Sequence, residues 1–201
     1  NRQVGDLPAK LNTTISMQDS YFSKSIIFGN KTGSFKNEPF YNNIKYLTGI
    51  ITNINSENIF DNIQFIYTDK DNNTQLAGGS DGIWGNKIKK NNVKEFQCPE
   101  NSAIYKIEGI HQTPLKNGNA GIKGMKIYCR NTNTGENIEL ENNVLGIEPE
   151  EDSNYNFNRV QCDKKENNNM KYAGFVSDVK GNYNSEGLDS ISFNRCSYVN
   201  I

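Results

Sequence analysis

One histidine, four cysteines and two acidic runs are the side chains in this 201-residue sequence that could do chemistry. His111 alone can furnish only one member of a nucleophilic triad or an imidazole metal site, so it reads as a solvated residue at a strand end. Cys98, Cys129, Cys162 and Cys196 are too widely spaced for the close ligand pairs of a zinc site. The acidic runs are Asp69, Asp71, Asn72 and Asn73, then Glu148, Glu150, Glu151 and Asp152. Neither has the spacing and glycine of a calcium loop, and both read as solvated turns. Gly78, Gly79 and Gly82 are followed by no Lys-Ser/Thr pair and open no helix, which removes phosphate binding. Neither a metal nor a cofactor is expected, and the chain reads as a non-enzyme.

The elements that must position any site are β-hairpins. Between Cys98 and Cys129, Ile104, Ile107 and Ile110 alternate with polar neighbours, as do Ile122, Met125 and Ile127. Asn117, Gly118, Asn119 and Gly121 lie between them and tolerate the positive φ a turn needs. The unit recurs. Gly109-Ile110 aligns with Gly49-Ile50 (109 − 49 = 60) and with Gly174-Phe175 (174 − 109 = 65). Each pair precedes an alternating strand of one design: Phe60 to Phe65, Ile122 to Ile127 and Leu188 to Phe193. A lone hairpin cannot bury its apolar face, so three repeats, centred on 45–68, 98–129 and 162–196, predict one domain with threefold internal pseudosymmetry.

In chain order, residues 1–24 read as an N-terminal arm and 25–201 as the domain. Strands are expected over 25–28, 45–53, 62–68, 170–176 and 188–193, with 91–97 leading into the second hairpin, a short strand within 138–145 and a turn over 180–187. Trp84, in a glycine-dense stretch, reads as a core residue, and no long amphipathic helix is present. A net charge of −1 offers no attraction to nucleic acid or anionic membrane, and no apolar run is long enough to insert as a helix. The first residue is Asn and not Met, as expected of a processed chain.

Leu47-Thr48-Gly49-Ile50, a turn, Phe60-Asp61-Asn62-Ile63-Gln64-Phe65-Ile66-Tyr67 and then Gly78-Gly79 resemble the jacalin-related lectins. Gly174-Phe175 followed by Gly187-Leu188-Asp189-Ser190-Ile191 resembles that family's closing hairpin. Phe96-Gln97-Cys98-Pro99 and Gly124-Met125-Lys126-Ile127-Tyr128-Cys129 are similar to another β-prism family, vitelline membrane outer layer protein I, which staples its sheets with cysteines. The resemblance implies an all-β β-prism of three Greek-key antiparallel sheets. It also implies a saccharide site built on a Gly-x-x-x-Asp loop, whose glycine lets backbone N–H groups approach and whose carboxylate accepts from hydroxyls. The matching segment is Ser185-Glu186-Gly187-Leu188-Asp189, with Ser185 in the glycine position and Tyr183 as a neighbouring aromatic face. A secondary candidate is Asp61, and in the second hairpin Lys123 stands where the aspartate would be.

Since no repeat keeps the full motif, the first reading is a protein-binding adhesion or assembly module. The alternative is a lectin that binds carbohydrate through the Asp189 loop. The expected partner is another surface protein or a glycan. Each cysteine pair flanks one hairpin, so Cys98 is expected to pair with Cys129 and Cys162 with Cys196, each tying a unit's start to the end of its return strand. Such bonds place the protein in an oxidising compartment, secreted or on the cell surface. Asn12, Asn30 and Asn72 begin glycosylation sequons and are expected to be exposed.

Overall fold

The structure is a computed structural model that describes residues 17–30, 40–41, 43–79, 82–86, 88–113, 121–184 and 187–201. All regular structure among them is β, in fourteen strands: β1 (Ser20–Gly29), β2 (Ile44–Ile54), β3 (Phe60–Asp69), β4 (Thr74–Ala77), β5 (Trp84–Gly85), β6 (Val93–Gln97), β7 (Ser102–Gln112), β8 (Gly121–Asn131), β9 (Val144–Gly146), β10 (Asn156–Gln161), β11 (Lys164–Asn167), β12 (Met170–Val176), β13 (Lys180–Asn184) and β14 (Gly187–Asn200).

They form three antiparallel sheets. Sheet I runs β4-β3-β2-β6 with β5 also on β3. Sheet II runs β10-β7-β8-β9. Sheet III runs β1-β14-β12-β11 with β13 also on β14. Each is built on one predicted hairpin: β2–β3, β7–β8, and the β12, β13 and β14 group. The alternation turns one face of every sheet inward, and Ile50, Ile63, Phe65, Ile104, Ile107, Ile122, Met125, Ile127, Ile191 and Phe193 meet in one fully buried core. Phe65 makes edge-to-face contacts with Trp84 (6.3 Å) and Phe193 (5.8 Å). Trp84 is fully buried, as expected.

Hairpin three departs from the sequence reading. Met170–Val176 does not pair with 188–193 but with the far half of β14, Val176 opposite Cys196 and Tyr172 opposite Asn200. The segment read as a turn contains β13, which takes the near half, Lys180 opposite Ser192 and Asn182 opposite Ser190. One long return strand thus serves two short partners. Strand β1 begins at Ser20, inside the predicted arm, and a register shift between Tyr21 and Ile26 divides it.

The disulfides join Cys98 to Cys129 and Cys162 to Cys196, with Cα separations of 5.9 and 5.8 Å. Their reach is wider than one hairpin. Cys98 follows β6 of sheet I and its N–H donates to the Thr48 carbonyl, whereas Cys129 is in sheet II. Cys162 follows β10 of sheet II and its N–H donates to the Tyr105 carbonyl, whereas Cys196 is in sheet III. Each lead-in strand pairs with the preceding unit, so each bond laces neighbouring sheets. The seam between sheets I and III has buried polar contacts instead: Arg195 Nη2 donates to the Ile44 carbonyl (3.4 Å) and the Ser197 hydroxyl to the Lys45 carbonyl.

Candidate functional site

The Asp189 segment opens β14. Tyr183 pairs with Leu188 and Asn184 with Gly187, while Ser185 and Glu186 lie outside the described residues. Asp189 is buried, and its carbonyl accepts the N–H of Asn30 at 3.3 Å. This approach requires Gly29. Its φ is +114°, and a Cβ there would overlap the Asp189 carbonyl oxygen and lie 2.7–2.8 Å from Ser190 atoms. Asn30 then reaches sideways, its Nδ2 donating to the Gln112 carbonyl at 3.2 Å. The end of β1 is thereby fixed to hairpins three and two together.

The same arrangement occurs three times. Gly85 (φ +107°) would overlap the Asp61 carbonyl if it bore a Cβ, and the next N–H, of Asn86, donates to that carbonyl at 3.1 Å. Gly146 (φ +76°) stands likewise against Lys123, whose carbonyl accepts from Ile147 at 2.9 Å. Asp189, Asp61 and Lys123 therefore occupy equivalent corners, each crossed by a glycine that ends an outer strand. The sequence signal was there: Phe28-Gly29, Trp84-Gly85 and Leu145-Gly146 are apolar-glycine pairs at similar spacing (85 − 29 = 56; 146 − 85 = 61). It was missed because the alignment followed the inner strands.

The corners differ in chemistry. Lys123 is buried, its Nζ donating to the Glu57 carbonyl (2.7 Å) and lying 5.6 Å from the Tyr155 ring centroid. That corner is filled by a cation. The half-buried Asp61 accepts from Asn55 Nδ2 at 3.1 Å. Beside Asp189, by contrast, Asn30 Oδ1 and Ser190 Oγ are buried without a hydrogen-bond partner, as is Nδ1 of His111, which precedes the Gln112 that Asn30 bonds. Buried polar atoms are nearly always paired, so these three stand out from the rest of the molecule's polar groups.

Other expectations move. Tyr183 reaches sheet I just past β4, where a Cβ on Gly79 would lie 2.6 Å from its ring carbon Cζ. Gly187 is half-buried, and its nearest neighbour in the Cβ direction is the Asp61 carbonyl at 4.0 Å. His111 is half-buried at the end of β7 rather than solvated, and burial lowers its pKa. Asp69 caps its turn, accepting from the N–H groups of Asp71 (2.9 Å) and Asn73 (2.8 Å), while Glu151 and Glu148 pair with Arg159 and Lys126. Among the described residues no group of three or more His, Cys, Asp or Glu could hold a metal ion. Of the sequon asparagines, Asn72 is exposed and Asn12 lies outside the described residues. Asn30 is half-buried with its amide engaged, contrary to the exposure its turn position implied.

No known protein-family profile matches the chain, and no curated protein matches it in sequence. Solved structures do. A mannose-binding jacalin-related lectin from Ananas comosus superposes with a TM-score of 0.53 at 15% identity, over 86% of this chain and 95% of that one. A Malaysian banana lectin gives 0.52 at 14%, over 85% and 95%. The mosquito-larvicidal Cry4Aa toxin of Bacillus thuringiensis gives 0.53 at 15%, over 79% of this chain and 28% of that longer one. The fold is thus the β-prism of the jacalin-related lectins. At these identities the likeness is one of fold, and a fold hosts more than one function.

Proposed function

We propose that this chain is a non-enzymatic carbohydrate-binding protein that holds a neutral saccharide at the corner formed by Gly29, Asn30, Asp189 and Ser190, and works in an oxidising, extracellular setting. The observation that carries the reading is the set of unpartnered buried groups, Asn30 Oδ1 and Ser190 Oγ, where a glycine-borne loop crosses Asp189. A carboxylate, an amide oxygen and a hydroxyl make a donor-poor, acceptor-rich set suited to sugar hydroxyls. The lectins among the structural neighbours support the same choice, as the two disulfides support the compartment. The missing loop glycine had placed a protein-binding module first; the neighbours and the corner geometry reverse that order.

The test is a glycan array followed by titration calorimetry with methyl α-mannoside and methyl α-galactoside. Weak, roughly millimolar binding is expected, since Ser185 replaces the loop glycine. Asp189→Ala should abolish it and Asp61→Ala should leave it intact. An array with no bound glycan, or affinity that survives Asp189→Ala, would overturn the assignment.

A further inference from the structure

We propose that Cys98 is a thiol-exchange site, at which a low-molecular-weight thiol opens the Cys98–Cys129 bond while the protein stays folded. The proposal is independent of the saccharide reading. The four cysteines differ in burial: Cys129, Cys162 and Cys196 are 0%, 1% and 3% exposed and belong to the core, whereas Cys98 is only partly buried. The cause is its position. Cys98 follows β6, an edge strand of sheet I, and its N–H is held to the Thr48 carbonyl at 2.8 Å. Pro99 then turns the chain toward β7, and its carbonyl accepts the Ser102 N–H at 3.2 Å. Beside this turn the outer face of sheet I forms a groove of about 340 Å³, lined by Cys98 together with Thr48, Ile66, Thr68, Asn101 and Thr132. That volume falls within the ~300–1,000 Å³ of small-molecule sites. Ser102, which also lines it, opens β7, ten residues before the Gln112 that Asn30 bonds (112 − 102 = 10). At about 3.3 Å per residue the groove is therefore roughly 33 Å along the strand from that contact, remote from the Asp189 corner.

The asymmetry fixes which sulfur reacts. A thiolate entering the groove attacks Cys98 Sγ, and the bond to Cys129 Sγ breaks. The electron pair of that bond leaves with Cys129, which takes up the proton the incoming thiol has lost, and Cys98 is left in a mixed disulfide with the small thiol. One thiol is consumed and one appears, so this step needs no oxidant or reductant. A second molecule of the thiol then displaces Cys98 as a free thiol and departs as the symmetric small disulfide. Attack in the opposite sense is closed, because Cys129 lies in the core. The Cys162–Cys196 bond offers neither sulfur, so its exchange has to wait for an unfolding event. Opening the first bond unlaces sheet I from sheet II at one end of the prism and leaves the lacing of sheets II and III in place.

The experiment incubates the folded protein with millimolar glutathione or free cysteine at neutral pH, quenches with acid, alkylates and maps the peptides by mass spectrometry. It is repeated over urea concentrations below the unfolding transition. Cys98–Cys129 should open at least about tenfold faster than Cys162–Cys196, at a rate nearly independent of urea, since attack on an accessible sulfur needs no unfolding. The trapped small thiol should be on Cys98, with Cys129 recovered as the free thiol. Thr74→Trp, at an exposed position lining the groove, should slow the first opening several-fold and leave the second unchanged. Both bonds opening together with one urea dependence, Cys162–Cys196 opening first, or an adduct on Cys129 would overturn the site. An unchanged rate in Thr74→Trp would overturn the groove as the route. Opening by reduced thioredoxin and by neither small thiol would assign the exchange to a protein dithiol and overturn the small-thiol claim.

Discussion

Asp178 occupies the gap between β12 and β13, where the ladder to β14 is interrupted. Its side chain takes over from the missing backbone, Oδ1 accepting the N–H groups of Asn194 (2.7 Å) and Arg195 (3.0 Å). It is 2% exposed, and this burial raises its pKa to about 6 although both N–H groups and the Arg195 charge oppose the rise. The folded chain therefore holds a proton there that the unfolded chain has released between pH about 4 and about 6. Stability falls as pH rises through that window, by at most roughly 1.4 kcal/mol per unit. Asp178→Asn keeps the acceptor and should flatten this slope in urea midpoints measured from pH 4 to 8. Asp178→Ala should cost about 1–3 kcal/mol at every pH by stranding two buried N–H groups. Nothing in Val176-Ser177-Asp178-Val179 announced the role, because the partners are sixteen and seventeen residues away. Asp189 drew notice in another way, as the position that matches the aspartate of the Gly-x-x-x-Asp loop the resemblance implies.

Glycines, more than turns, set how the elements meet. Gly85→Ala and Gly146→Ala each force a side chain into a carbonyl oxygen at positive φ, and each should lower stability by roughly 1–3 kcal/mol in denaturant melts. Gly187→Ala, whose Cβ would have no contact among the described residues nearer than 4.0 Å, should change it by less than about 0.5 kcal/mol, although Gly187 lies in the motif-like loop. The inner strands were readable because alternation over ten or eleven residues is a strong signal. The strands β4, β5 and β11, of two to four residues, carry no period of their own and exist only because a longer neighbour templates them. The split of hairpin three was hidden for a related reason. At fourteen residues β14 can serve two partners, and the periodicity of a return strand does not say which part each one takes.

At the scale of the whole prism, two seams are covalent and one is not. Replacing Cys98 and Cys129, or Cys162 and Cys196, by serine should cost about 3–4 kcal/mol in the chain-entropy account for loops of 31 and 34 residues. Hydrogen exchange on the first variant should rise chiefly in β6, and on the second in β10. The third seam depends on Arg195, buried, with Nη2 on the Ser177 and Ile44 carbonyls and Nη1 on Asp19. Arg195→Ala should cost roughly 2–4 kcal/mol and raise exchange along β1 and the start of β2. The cysteine pairs were legible from their place in the repeat. That they bridge sheets was not, because pairing of a lead-in strand with the previous unit is a property of the closed prism.

The direction of β14 has a practical consequence for handling the protein. From Asp189 the strand runs one way to Asn200, so Ile201 lies up to roughly 40 Å from the proposed site at about 3.3 Å per residue. A tag or tether attached at Ile201 leaves from the opposite end of the prism. Immobilised on a sensor chip by that point, the domain would present its three glycine-crossed corners outward to the flow.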